Sequence, residues 1–131
     1  MRAILLSAVF AASLFSAVHA DGVMSLAGSE WGEGSDTGKF AVMVKFEPRN
    51  KVWGTLGCNR FTGTYAQDDF RLSFGPLATT RMACPPANMK TEQRVSAALT
   101  ATHEADISHL KLVLKDAKGA TLLTLQRRDA D

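Results

Sequence analysis

Pro85-Pro86-Ala87-Asn88-Met89-Lys90-Thr91-Glu92-Gln93-Arg94-Val95-Ser96-Ala97-Ala98-Leu99-Thr100-Ala101-Thr102 decides the fold, because beyond the first twenty residues it is the segment with a helical period. Thr91, Val95, Ala98, Leu99 and Thr102 recur three or four positions apart and fall on one helix face, leaving Glu92, Gln93 and Arg94 toward water. The prolines stop any earlier helix, and Asn88 is of the residue type that caps a helix start. His103 falls near the carboxyl end, where a cation suits the helix dipole.

On both sides of this helix the period is two. Phe40, Val42, Val44 and Phe46 alternate with Ala41, Met43 and Lys45, the pattern of a half-buried strand. Glu47-Pro48-Arg49-Asn50 turns the chain, and Val52 to Cys58 and Phe61 to Tyr65 read as further strands. Gln67-Asp68-Asp69 makes another turn before Phe70, Leu72 and Phe74. After the helix, Leu110, Leu112 and Leu114 form a strand, Asp116-Ala117-Lys118-Gly119 turns, and Thr121, Leu123 and Leu125 close a hairpin. Residues 21–38, rich in Gly, Ser, Asp and Glu, show no period and are expected to be loose until Trp31 docks. Strands, one helix and a closing hairpin imply an α+β fold, an antiparallel sheet curled around or packed on a single helix.

Residues 1–20 have the layout of a signal peptide: Arg2, an apolar run over Ala3 to Ala17, and Ala17-Val18-His19-Ala20 before a cut that would leave Asp21 at the new amino terminus. No cysteine follows the run, so lipid attachment is not expected, and nothing later approaches membrane-spanning length. The expected arrangement is therefore a leader over 1–20 and one domain over 21–131, periplasmic or secreted and monomeric, with no membrane span after cleavage. Without Arg2 the chain carries 14 Lys+Arg against 13 Asp+Glu, a balance that gives no field for nucleic acid.

Cys58 and Cys84 are the two cysteines of the chain. In an exported protein they are read as one disulfide, stabilising the fold by about 3.5 kcal/mol on the chain-entropy model. A metal site with His103 and His109 is the competing arrangement, but neither C-x-x-C nor H-x-x-x-H spacing occurs, and no metal or cofactor is expected. No G-x-S-x-G elbow is present, and Asp68 and Asp69, adjacent in a turn, point apart rather than at a shared substrate. A thiol-dependent redox or hydrolytic enzyme would use Cys58 with His103 or His109 as base; the disulfide argues against it. Gly54, Gly57 and Gly63 lie within strands and mark bulges or close approaches rather than a phosphate loop. A bond between Cys58 and Cys84 would bring Arg60 and Arg81 together, either as an anionic contact point or as two solvated side chains pointing apart. Asn59, beside Cys58, suits a turn or left-handed conformation that bonds to neighbouring backbone.

Gly57-Cys58-Asn59, Gly63-x-Tyr65 and Thr80-x-Met82-Ala83-Cys84-Pro85 followed by Glu92 resemble, in order and spacing, the META-domain (HslJ-like) family of small bacterial envelope proteins, over roughly Leu26 to Gln126. The resemblance implies a strongly bent, barrel-like antiparallel sheet with one main helix. It also implies a setting of envelope stress, antibiotic tolerance or virulence. The sequence departs from that family at Gly32-Glu33-Gly34, where a strand usually continues, and at Trp53, where a smaller or charged residue is common. Trp53 on the outward face of its strand is either a binding aromatic or the cover of a core edge. The expectation is thus a non-catalytic domain that binds an envelope protein or a small ligand, with Asn59, Arg60, Arg81 and Trp53 as candidate contacts.

Overall fold

A computed structural model of the chain describes residues 23–129. The expected leader and the cut before Asp21 lie outside the described residues. The strands are β1 (Glu30–Gly32), β2 (Val42–Glu47), β3 (Lys51–Leu56), β4 (Arg60–Asp68), β5 (Arg71–Phe74), β6 (Ala78–Thr79), β7 (Glu104–Ile107), β8 (Lys111–Lys115) and β9 (Thr121–Arg127), and the helix α1 spans Pro86–Ala101 between β6 and β7.

Every pairing is antiparallel, in the order β3-β2-β1-β9-β8-β7-β5-β4, and a further β3–β4 pairing closes these eight strands into a barrel. Closure removes the free edges that an open sheet exposes. β6 continues β5 along the same edge of β4: from Tyr65↔Phe74 to Thr62↔Ala78, β4 advances three residues while its partner advances four. The additional residue falls in Gly75-Pro76-Leu77, where proline cannot donate to the ladder.

The two-residue period sends one face of each strand inward. Val42, Val44, Phe46, Val52, Leu56, Phe61, Tyr65, Leu72, Ala105, Leu112, Leu114, Leu123 and Leu125 are buried in one core. Phe46 meets Tyr65 edge to face at 4.9 Å. The Tyr65 hydroxyl donates to the Glu47 carbonyl at 3.2 Å, and burial, aided by the Glu47 charge, pushes its pKa above the usual value. Gly54 is required by a close approach, since a Cβ there would run into the Met43 carbonyl of β2 and the Phe61 ring.

A barrel filled from its walls still has open ends. α1 touches β3 and also β5, β8 and β9, strands on opposite sides of the ring, so it lies across one mouth. Val95, Ala98 and Leu99 are its buried residues, the centre of the expected stripe, and Thr102 follows as the buried C-cap. Gln93 and Arg94 face water as expected, Arg94 reaching Glu33 in a two-pronged ion pair, but Glu92 turns inward toward Asn59. Asn88 does not cap α1; Pro85 is the N-cap, Pro86 opens the helix, and the Asn88 amide instead donates to the Gly57 carbonyl at 3.2 Å. His103 lies beyond the helix and joins neighbouring strands through its backbone, its N–H bonded to the Lys115 carbonyl and its carbonyl accepting from Leu72.

The segment before β1 is fixed well ahead of Trp31. Leu26 is fully buried, and the Gln67 side chain holds it by accepting from the Leu26 N–H at 2.9 Å and donating to the Met24 carbonyl at 3.0 Å. Gly28 N–H donates to the Phe46 carbonyl, and the Trp31 indole N–H to Ser29 Oγ at 2.7 Å. The loop after β1 carries no strand or helix. Leu99→Ala should therefore lower stability by about 2–5 kcal/mol, because the barrel wall cannot collapse into the space left, whereas Gln93→Ala on the exposed face should stay within about 0.5 kcal/mol. Urea unfolding of the two variants beside the parent measures the difference.

Candidate functional site

The cysteine segments meet at the foot of α1. β3 ends at Leu56, and Gly57 carries the chain around at φ 104°, a left-handed conformation that glycine adopts without strain. Its missing Cβ matters as well, because one there would lie 2.7 Å from Thr91 Cγ2 on the helix. Cys58, buried, is bonded to Cys84, which sits two residues before the first residue of α1. In this state Cys58 has no thiol to ionise, and His103 and His109 are exposed. Among the described residues no cluster of three or more His, Cys, Asp or Glu gathers.

Asn59 is buried but does not take the left-handed conformation; Gly57 does. All the hydrogen-bonding capacity of its side chain is engaged. Oδ1 accepts from Thr80 Oγ1 at 2.9 Å and from Met82 N–H at 2.6 Å. Nδ2 donates to Glu92 Oε2 at 3.1 Å and, at 3.5 Å, to the Met82 carbonyl. Its backbone N–H donates to Glu92 Oε1 at 2.7 Å, so the Glu92 carboxylate grips Asn59 with both oxygens. The β3–β4 connection, the loop of residues 80–85 and the helix are thus bound through one amide. With its polar atoms saturated and its surface covered, Asn59 braces the region rather than meeting a partner.

Arg60 and Arg81 stand beside this brace on the outside. Arg60 pairs by backbone with Thr80, its N–H donating to Thr80 Oγ1 and its carbonyl accepting from Thr80 N–H, which puts it one residue out of register from Arg81. Both side chains are exposed, and among the described residues neither forms an ion pair. Trp53 is 40% exposed on the outer face, between Lys45 of β2 and Thr62 of β4, with its indole N–H donating to Glu47 Oε1 at 3.0 Å. It is an outward aromatic with an occupied N–H and an open ring, not the lid of a core edge.

One recess opens beside these features and takes in Cys58 and Arg60. Lys39, Phe40, Thr55, Cys58, Arg60 and Met82 line about 320 Å3 between the loop before β2 and the outer face of β3 and β4. Arg81 stands outside its wall. The roof is pinned because Thr55 Oγ1 donates to the Ala41 carbonyl at 2.5 Å and Ala41 N–H to the Gly38 carbonyl at 3.0 Å. Across that pin a second cleft of about 420 Å3 runs toward Glu30, Asp36 and Arg128, sharing Lys39 and Thr55 with the first. Lys39, Phe40 and Met82 were not among the residues expected from sequence. Glu92, part of the quoted motif, was expected to face water.

A disulfide-braced, closed antiparallel barrel with one helix across its mouth is the class these elements define. Residues 23–129 match the META domain model, and the chain belongs to the META domain family. A protein from Burkholderia xenovorans, solved by NMR, is similar at 26% identity over 80% of this chain and 85% of its own, with a TM-score of 0.68. A second NMR structure shares the fold at 23% identity, 79% of this chain, 90% of its own and a TM-score of 0.61. No curated protein matches the chain.

Asn59→Ala should destabilise by about 1–3 kcal/mol, since Met82 N–H and Glu92 lose buried partners. Asn59→Asp sets a carboxylate against Glu92, which raises the folded-state pKa of the pair. The folded state then binds more protons than the unfolded one, so the loss of stability should be present at neutral pH and shrink as pH falls toward about 4. Replacing Cys58 and Cys84 together by serine should cost about 2–5 kcal/mol. Denaturant midpoints at pH 7 and pH 4 for the three variants check all of these values.

Proposed function

We propose that this META-domain protein is exported, acts without catalysis in envelope stress or antibiotic tolerance, and works as a monomer by binding an envelope protein or small ligand through the surface braced by Cys58–Cys84. The observation that carries this reading is the presentation of Arg60 and Arg81, neither in an ion pair among the described residues, from two segments that the disulfide and Asn59 lock together. Such a surface loses little conformational freedom on binding, because the backbone under it is already ordered. Exposed Trp53 and Met82, 40% and 44% accessible, supply apolar contact area beside the charges. A cationic rim next to apolar side chains suits a partner that carries negative charge. Among the described residues no helix is long and apolar enough to cross a membrane, and the proposed export rests on residues 1–20.

Complementation of a strain lacking the protein tests the reading. The parent chain should restore tolerance to envelope-directed antibiotics, and the Arg60→Glu, Arg81→Glu double variant should fold with an unchanged melting temperature but fail to restore it. Protein recovered from the periplasm should have the intact mass of a chain starting at Asp21 and should take up no alkylating reagent without prior reduction. Full complementation by the double variant, or a free thiol in freshly isolated protein, would overturn the reading.

A further inference from the structure

We propose that the recess lined by Lys39, Phe40, Thr55, Cys58, Arg60 and Met82 is a binding site for a small amphiphilic anion: a carboxylate or phosphate group between Lys39 and Arg60, with a short apolar group against Phe40 and Met82. The inference rests on the binding role proposed above and names the ligand chemistry of that surface.

Three observations carry it. The charged residues of the lining are both cations, and no carboxylate lies among them. Two cations sharing one recess repel each other, and an anion between them converts that repulsion into two attractions. The Lys39 ammonium lies 5.4 Å from the centre of the Phe40 ring, within cation–π distance of another residue of the lining. The walls are built in advance. Thr55 pins the roof at Ala41, Gly38 N–H is held by the Asp36 carboxylate at 2.8 Å, and the Arg128 guanidinium holds the start of the loop through the Gly34 carbonyl. A pocket that needs no loop ordering spends little of its binding energy on closure.

The apolar part of the lining decides between ligand classes. Inorganic phosphate would satisfy Lys39 and Arg60 but leave Phe40 and Met82 unused. Met82 is 44% exposed despite its size, and a thioether side chain adapts its shape to varied apolar groups. The volume, about 320 Å3, sits at the small end of ligand pockets, which suits a single short tail rather than a diacyl lipid. Thr55 is already donating to Ala41, so the charged head must be held by Lys39 and Arg60 themselves.

Titration of the 15N-labelled chain with octanoate and with octyl phosphate, each below its micellar concentration, tests the site, with acetate and octylamine as controls. The two amphiphilic anions should shift the amide signals of Lys39, Phe40, Thr55 and Arg60, while acetate lacks the tail and octylamine carries the wrong charge. Arg60→Gln and Lys39→Gln should each weaken octanoate binding by about tenfold, the loss of one charge-assisted contact, and Lys118→Gln in the distant β8–β9 turn should change nothing. Octylamine binding as tightly as octanoate, or octanoate binding unaltered in the Lys39→Gln, Arg60→Gln double variant, would overturn the proposal. The two readings fail separately. Absence of octanoate and octyl phosphate binding overturns this site even if the arginine double variant loses complementation. Binding of both anions with full complementation by that variant overturns the wider role and leaves the site.

Discussion

The buried amide of Asn59 is the contact on which the surrounding architecture depends. A side-chain amide in a low-dielectric setting is costly unless each of its donors and acceptors is matched, and here the matching partners come from two other parts of the chain, the loop at Thr80 and Met82 and the helix at Glu92. The requirement fixes the loop of residues 80–85 and the first turns of α1 relative to the β3–β4 connection. The disulfide one residue away confines the same segments in the unfolded chain as well. Asn59 therefore acts on the geometry of the folded state, and Cys58–Cys84 acts mostly on the entropy of the unfolded one.

With that corner set, closure of the barrel follows from how its ends are filled. Eight short strands supply an apolar interior, but their ends would leave it open to water. α1 covers one mouth with Val95, Ala98 and Leu99, while the Gln67 side chain fastens the stretch around Leu26 to the barrel wall. Both devices join residues far apart in sequence. Among the described residues no buried side-chain nitrogen or oxygen lacks a hydrogen-bond partner, which fits a core of one arrangement rather than several.

This rigidity bears on function through the outer surface. The barrel interior is filled by side chains, so the clefts open to a ligand lie outside, and two of them run under the loop that precedes β2 and along the β3–β4 face. There the near-neutral balance of the whole chain conceals a local excess, since Lys39 and Arg60 share a recess without an acidic neighbour in its lining. Net charge speaks to long-range fields, whereas recognition at a small site depends on the few charges that face it.

Periodicity alone determined much of the architecture. Alternation over Phe40 to Phe46 and Leu110 to Leu125, and the helical spacing of Val95, Ala98 and Leu99, made most strands and the helix legible, because burial of one face imprints the backbone period on the apolar residues. The strands that escaped this reading are β1, β6 and β7, of three, two and four residues. β1 and β6 are too short to show a period, and Glu104 and Asp106 give β7 an acidic outer face unlike a typical strand. The cysteine pair was legible because a chain with two cysteines allows one connectivity. Tertiary structure alone decided that Asn59 is a brace, that Glu92 faces inward, that Asn88 bonds Gly57 and that Lys39 shares a recess with Arg60. Each of these joins residues about twenty or more positions apart, and such encounters depend on how the sheet curls and closes, which no local pattern of residues records.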